Sequence, residues 1–289
     1  MIETEAAAWE TALKNAGEVV PPGRHWRPRA AAGVWKACGA AGWIMAGHMA
    51  GHRFPVISPP PKWAHANMGN YYESEDFLLN MLIEQVEAGT RSVIKPTEVR
   101  VIIPMGAIPK PRQPDKLRPL DDARLTNAWQ PPMRFRMHYI EMIGHLTARG
   151  EYVIVVDIVA YYHHFALHPD EKADLCTFAK GIIFAPNAIM FGAALAPFIV
   201  TKITRVITGA FNAAGIGSVN VIDDFVFTLG TDYAEACKKA VFVRWLLEAL
   251  GLETHEIKSD WNPKRTAEAL GFLMSTLSRR IWVPDYKLE

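Results

Sequence analysis

The chain has 289 residues, 50% hydrophobic and 21% charged, the balance of an ordinary soluble globular protein with material for one large domain or two. Its formal net charge is +1, so the field of the whole molecule does not mark it for nucleic acid. Cys38, Cys176 and Cys237 stand far apart with no CxxC or Cys/His ligand pattern, which argues against a disulfide framework or a zinc site and fits a reducing, intracellular setting.

Met1-Ile2-Glu3-Thr4-Glu5 is acidic and lacks the basic-then-apolar order of a signal peptide. Residues 1–20 read as an amphipathic helix ending near Gly17, broken by Pro21-Pro22-Gly23. A Trp- and Gly-rich stretch follows to about Phe54. Its uncharged run from Ala37 to Gly51 is only fifteen residues and contains His48, too short and too polar to span a bilayer. His48 and His52 lie four apart, as helical metal ligands do, but no Glu sits between them and no third ligand is evident, so core packing is the favoured reading. Pro55 to Pro61 is the clearest linker.

Periodicity predicts a helix from about Glu75 to Ala88, with Ser74 as N-cap, Gly89 as C-cap, and Leu78, Leu79, Leu82, Ile83 and Val86 facing a core. Residues 99–107 read as a strand, followed by a Pro-rich basic loop from Pro109 to Lys116. Between Arg91 and Arg124 eight bases face four acids, a local net of +4 suited to a phosphate-facing patch or to a solvated loop. Tyr152 to Asp157 is a buried-type strand ending in a single acid. Helices are then expected from about Pro169 to Phe178 and from Leu195 to Ala214, the second opening with Ala196-Pro197. Val219 to Phe227 alternates apolar residues around Asp223-Asp224, which reads as a hairpin with the acids at its turn. Thr231 or Asp232 caps a further helix ending at Gly251, and a hairpin-like stretch, Leu270 to Met274 and Arg280 to Val283, comes last. This order predicts an α+β fold: an antiparallel sheet covered by helices on one face.

Carboxylates at a strand turn beside a core need a reason, because burying a bare charge is costly. Asp157, Asp223 and Asp224 on adjacent strands could hold two Mg²⁺ ions (Mn²⁺ being an alternative), the arrangement used for phosphoryl transfer. An Asp-Asp pair alone is also explained by turn chemistry.

The blocks together resemble the reverse transcriptases. Asp157 to Pro169 looks like their first catalytic block, Phe191 to Phe198 their Gly-containing second, and Val221-Ile222-Asp223-Asp224 their third. Leu250-Gly251-Leu252, Lys258-Ser259 and Leu270-Gly271-Phe272 follow in the family's order, and Arg118 to Asn127 is similar to the fingers block. The likeness spans roughly residues 60–285. Within the family, long-terminal-repeat and DIRS-like elements look nearest, the latter through Trp43 to Pro55.

That resemblance implies a right-hand polymerase: an N-terminal helical extension over 1–60, fingers over 61–150, and a palm over 151–289 with about 170–190 reaching into the fingers. It implies RNA-directed DNA synthesis with Asp157, Asp223 and Asp224 as metal ligands and Lys258 as proton donor to pyrophosphate. Lys110, Arg112 and Arg118 would hold the deoxynucleoside triphosphate, Tyr162 would fill the space of a ribose 2′-hydroxyl, and Gly192 would let the backbone approach the nascent base pair. Expected partners are an RNA or DNA template-primer and protein subunits supplying a thumb or scaffold. His163 and His164 read as packed or template-facing, and Trp26, Trp129 and Trp261 sit where bases could stack. Two departures stand out: Val221 replaces an aromatic, and the chain stops about where a thumb is expected. The rival reading is a retired, thumbless domain kept as a structural or RNA-binding subunit. A nucleotide cyclase on a similar sheet gives no reason for the Arg118 and Gly192 blocks.

Overall fold

The computed structural model describes residues 23–111, 113–139 and 141–288. The helix read over 1–20 and the side chain of Arg112 lie outside the described residues. Helix α1 (Gly42–Ala50) follows three short helical segments between Arg24 and Ala37, and α2 (Glu75–Glu87) buries Leu78 and Leu82. Ser74 precedes α2 without a side-chain cap bond. Strand β1 (Arg91–Val93) comes next. The strand expected over 99–107 breaks at Pro104 into a short piece at Val101–Ile102 and β2 (Met105–Lys110).

The expected Pro-rich loop is instead an antiparallel hairpin. β2 pairs with β3 (Gln113–Asp121) through registers such as Ile108↔Arg118. A two-stranded ribbon has only edges, so Pro109, Pro114 and Pro119 remove few ladder bonds.

The chemistry is carried by the next segment. β4 (Val153–Asp157) is followed by β5 (Thr177–Ala179) and β6 (Ile182–Pro186), the latter pairing with both β5 and β1. The helix expected over 169–178 stops after Pro169–Lys172. Cys176 donates its N–H to the Val101 carbonyl at 3.2 Å and Thr177 pairs with Phe184, so strand pairing overrides the local helical signal.

Helix α3 (Ala196–Ala213) buries Ile199, Ile203, Ile207 and Phe211 along one stripe. It leads into β7 (Gly217–Val221) and β8 (Asp224–Thr228), and then into α4 (Tyr233–Ala249), whose start is capped by Asp232 accepting the Glu235 N–H at 2.8 Å. β9 (Asp260–Lys264) completes a four-stranded antiparallel sheet in the order β9-β4-β8-β7. β10 (Thr266–Ala269), β11 (Phe272–Ser275) and β12 (Arg280–Trp282) form a separate three-stranded sheet, so the expected final hairpin gains a strand.

One core joins α3, α4 and the β4–β8 sheet, and Trp35, Ile44 and Phe54 from the N-terminal segment belong to it. His52 fastens that segment by backbone: it donates to the Ala166 carbonyl at 2.7 Å, and its own carbonyl accepts from His168 at 2.9 Å. His48 and His52 are core residues in mutual contact at 3.3 Å, packed on Phe165.

Burial holds the imidazoles of His25 and His48 down to about 4 and those of His52 and His164 to about 3. The unfolded chain therefore takes up protons first as pH falls below about 6.5. The stability these groups contribute is complete above that pH and is lost as pH drops toward their folded values. Unfolding free energies from urea titrations at pH 7.5 and pH 5 are expected to differ by roughly 1–2 kcal/mol per histidine, less what the raised carboxyls of Glu171 and Asp224 give back on acidification, and a higher stability at pH 5 would contradict the burial of these rings.

Candidate active site

β4 runs between β8 and β9 with Val153, Ile154 and Val156 buried, and its last residue, Asp157, emerges at the sheet's end. The β7–β8 hairpin closes by a two-residue turn, Ile222-Asp223, between the paired Val221 and Asp224. Ile222 has φ +56°, a left-handed value that a β-branched side chain rarely adopts, so the turn is strained. The strain is held by ladders on both sides of β8 and by the Asp223 carbonyl, which accepts the Ile158 N–H at 3.0 Å.

The register sets Asp224 directly opposite Asp157. Residues so paired share one face of a sheet, with Cβ atoms roughly 5 Å apart. The crowding has an electrostatic consequence. Burial, and then the charge of Asp157, raises the Asp223 carboxyl; burial, then Asp223 and Asp157, pushes Asp224 to about 6. Lys258 Nζ stands 3.4 Å from Asp157 Oδ2. Among the described residues no group of three His, Cys, Asp or Glu converges into a ready-made metal cage. Hard carboxylate oxygens crowded together nonetheless suit Mg²⁺, which is commonly held by one or two carboxylates with substrate phosphates and water completing the shell.

Asp223 opens on a cavity of about 550 Å³ between this sheet and the β2–β3 hairpin, whose walls include Arg91, Arg118, Asp121, His163 and Phe191. Arg118 thus shares a cavity with Asp223, as sequence spacing alone could not establish. Lys110 pairs with Gln113 at the far end of the hairpin and is not among the side chains lining the cavity.

The two tyrosines of the first block divide their work. Tyr161 is core: its hydroxyl lies 2.7 Å from Thr204 Oγ1 and its ring packs against Phe165 and Phe225. Tyr162 meets Phe191 edge-on at 4.4 Å between ring centroids, and burial together with the Asp223 charge raises its hydroxyl to about 12. Phe191 is 59% exposed, unusual for a ring beside a packed core, and sequence reading did not single it out.

Gly192 has φ +90°, and a Cβ there would overlap the carbonyl oxygen of Asp121. Within the chain itself, its lack of a side chain is required by the end of β3. His163 lines the cavity, whereas His164 is packed, its Nε2 accepting the Glu253 N–H at 2.9 Å. Trp26 carries Arg29 over its ring and Trp261 carries Arg244, while the Trp129 carbonyl accepts the Ile57 N–H at 2.8 Å. A groove of about 560 Å³ beside Arg27 and Arg244 lies apart from the acids; Arg27 pairs with Glu253 and Arg244 with Glu248 there.

No family model and no curated protein matches the chain. Solved structures do. In the foamy viral protease-reverse transcriptase bound to an RNA/DNA hybrid, the match covers 80% of this chain at TM-score 0.64 and 16% identity. The same enzyme with double-stranded DNA gives 80%, 0.61 and 17%, and native prototype foamy virus protease-reverse transcriptase gives 74%, 0.59 and 17%.

The fold is reverse-transcriptase-like.

At such identity the likeness is one of fold. The chain spans 27% to 45% of the length of those structures. No described helix is long and apolar enough to cross a membrane.

Proposed function

We propose that the chain is the fingers-and-palm core of an RNA-directed DNA polymerase, transferring deoxynucleotides to a primer 3′-hydroxyl. One observation carries the reading: Asp157 and Asp224 face each other across β4 and β8, with Asp223 at the adjoining strained turn, and Asp223 opens on the cavity that Arg118 lines. Asp157 and Asp223 would hold two Mg²⁺ ions, with Asp224 adding ligand charge. The ions, when bound, supply positive charge to the phosphoryl group and to the attacking hydroxyl. Arg118 binds triphosphate oxygens through its guanidinium fork, with the charges of Lys110 and Arg112 adding to its attraction for phosphate. Tyr162, buttressed by Phe191, occupies the volume a ribose 2′-hydroxyl would need. Lys258 leaves Asp157 to give a proton to departing pyrophosphate.

Template-primer is gripped mainly through its phosphates, so binding weakens with salt. The setting is intracellular, the parent element of the long-terminal-repeat or DIRS-like kind that Trp43 to Pro55 resembles, and further subunits supply a thumb or scaffold. The scaffold reading draws on the Lys258–Asp157 pair, which partly neutralises the acids without metal.

Primer extension on an annealed RNA template, with deoxynucleotides and Mg²⁺, separates the two. Extension abolished by chelation supports the polymerase; nucleic-acid binding without extension would leave the scaffold. In an extending protein, Tyr162→Val is expected to raise ribonucleotide incorporation relative to deoxynucleotide by about tenfold or more, because the selection is steric. An unchanged ratio would remove Tyr162 from sugar selection.

A further inference from the structure

Arg91 is a buried cation with no part in the roles above. Its side chain is 4% exposed, yet it lies in the wall of the cavity that holds Arg118 and Asp223. A guanidinium taken out of water has to have its donors satisfied, and three elements supply the acceptors. Nε donates to Gln85 Oε1 of α2 at 2.7 Å, Nη1 to Thr177 Oγ1 of β5 at 2.8 Å, and Nη2 to Asp121 Oδ2 at the end of β3 at 2.7 Å.

Asp121 joins these parts. It closes the strand that carries Arg118 three residues earlier, and its carbonyl lies against Gly192 so closely that no side chain fits there. Asp121 Oδ1 is buried without a partner, so Arg91 supplies its charge compensation among the described residues. The backbone of Arg91 in turn pairs with Pro186 on β6, five residues before Phe191. The Arg118 strand is therefore fixed on one side by Arg91 and on the other by the Gly192 turn.

We propose that Arg91 is a positioning residue which, by holding Asp121 against the Gly192 turn, sets the distance between Arg118 and the acid-bearing turn and so the affinity for deoxynucleoside triphosphate. The inference rests on the polymerase reading. Arg91 does not touch the triphosphate; it acts through Arg118. A rigid planar guanidinium suits this better than an ammonium, because three of its donors bind acceptors on three elements at once.

The test is single-nucleotide incorporation by the full chain, with equilibrium binding of a fluorescent deoxynucleoside triphosphate and thermal unfolding measured alongside. Arg91→Met alone leaves Asp121 buried and bare and is expected to lower stability sharply. Arg91→Met with Asp121→Leu removes both charges and is expected to recover most of that loss, since no bare charge is left buried, although Gln85 and Thr177 lose their donor. In that folded double variant the KM for deoxynucleotide is expected to rise about tenfold while kcat changes less than threefold. Adding Arg118→Ala to it is expected to produce no further rise beyond Arg118→Ala alone, the non-additivity of residues acting as one unit. A stable double variant with wild-type KM, or fully additive effects with Arg118→Ala, would overturn the inference and leave the polymerase standing. A wild-type chain that neither extends primers nor binds nucleotide would overturn the polymerase reading, and this inference with it.

Discussion

Asp223→Asn is expected to lower primer extension on the order of 10³-fold or more while the chain stays folded, because on the proposed function several kcal/mol of charge stabilisation would rest on the metal that Asp223 would hold. The companion change, Asp224→Asn, is expected to make the protein more stable. Burial and the neighbouring acids push Asp224 to about 6, above the usual carboxylate value. The sign follows. A raised folded value means that the ionised carboxylate destabilises the fold at neutral pH, and the penalty is relieved as pH falls below about 6. Two units correspond to at most about 3 kcal/mol, and partial exposure reduces this to roughly 1–2 kcal/mol. Asparagine removes that penalty at every pH. Without divalent ions, the thermal midpoint at pH 7.5 should rise by roughly 2–6 °C, and the gain should fall to about half near pH 5 and vanish only below about pH 4. A midpoint that falls instead would mean that the carboxylates are not crowded as the β4–β8 register requires. Added Mg²⁺ should stabilise the wild type more than the variant, since a bound ion turns repulsion into ligation.

Gly192→Ala is the second large effect. The substitution meets two obstacles at once: a left-handed backbone that costs an L-residue about 1–2 kcal/mol, and a methyl directed into the Asp121 carbonyl. Overpacking of this kind adds about 1–3 kcal/mol. The chain can relieve the overlap only by moving the end of β3, which shifts Arg118 relative to Asp223. Displacements of about 1 Å at such a site cost on the order of 10²-fold in kcat/KM. Urea unfolding and single-nucleotide incorporation read the two consequences separately. Gly209→Ala is the control: it lies within α3 with no neighbouring atoms within 4 Å of an added Cβ. It should stabilise by about 0.5–1 kcal/mol and leave activity unchanged. Equal behaviour of the two variants would remove the packing argument for Gly192.

How much could be read without coordinates depended on how local the cause was. The acid hairpin was legible because alternation and turn position are written within ten residues, and α3 and α4 because apolar spacing and the Asp232 cap are local too. Residues 169–178 looked helical for the same reason, yet Thr177–Ala179 joined a strand whose partners lie elsewhere in the chain. The prolines of 109–119 suggested a loop, since their cost in a sheet depends on whether the strand is an edge, which composition does not reveal. Arg91 was counted as one of eight bases in a basic segment. Only its three acceptors, drawn from distant positions, turn it from a solvated charge into a brace. Gly192 was recognised as necessary, but its close neighbour Asp121 lies seventy-one positions earlier.

The left-handed Ile222 has a consequence for how the acids meet an ion. A glycine would allow the same turn at less cost and would also leave it free to fluctuate. Isoleucine, branched at Cβ and clamped by paired strands, has few other shapes to visit. Asp223 and Asp224 are therefore held already aimed, and little conformational freedom would remain to be lost in the proposed capture of a cation. Energy stored in the folding of one residue becomes readiness in its two neighbours.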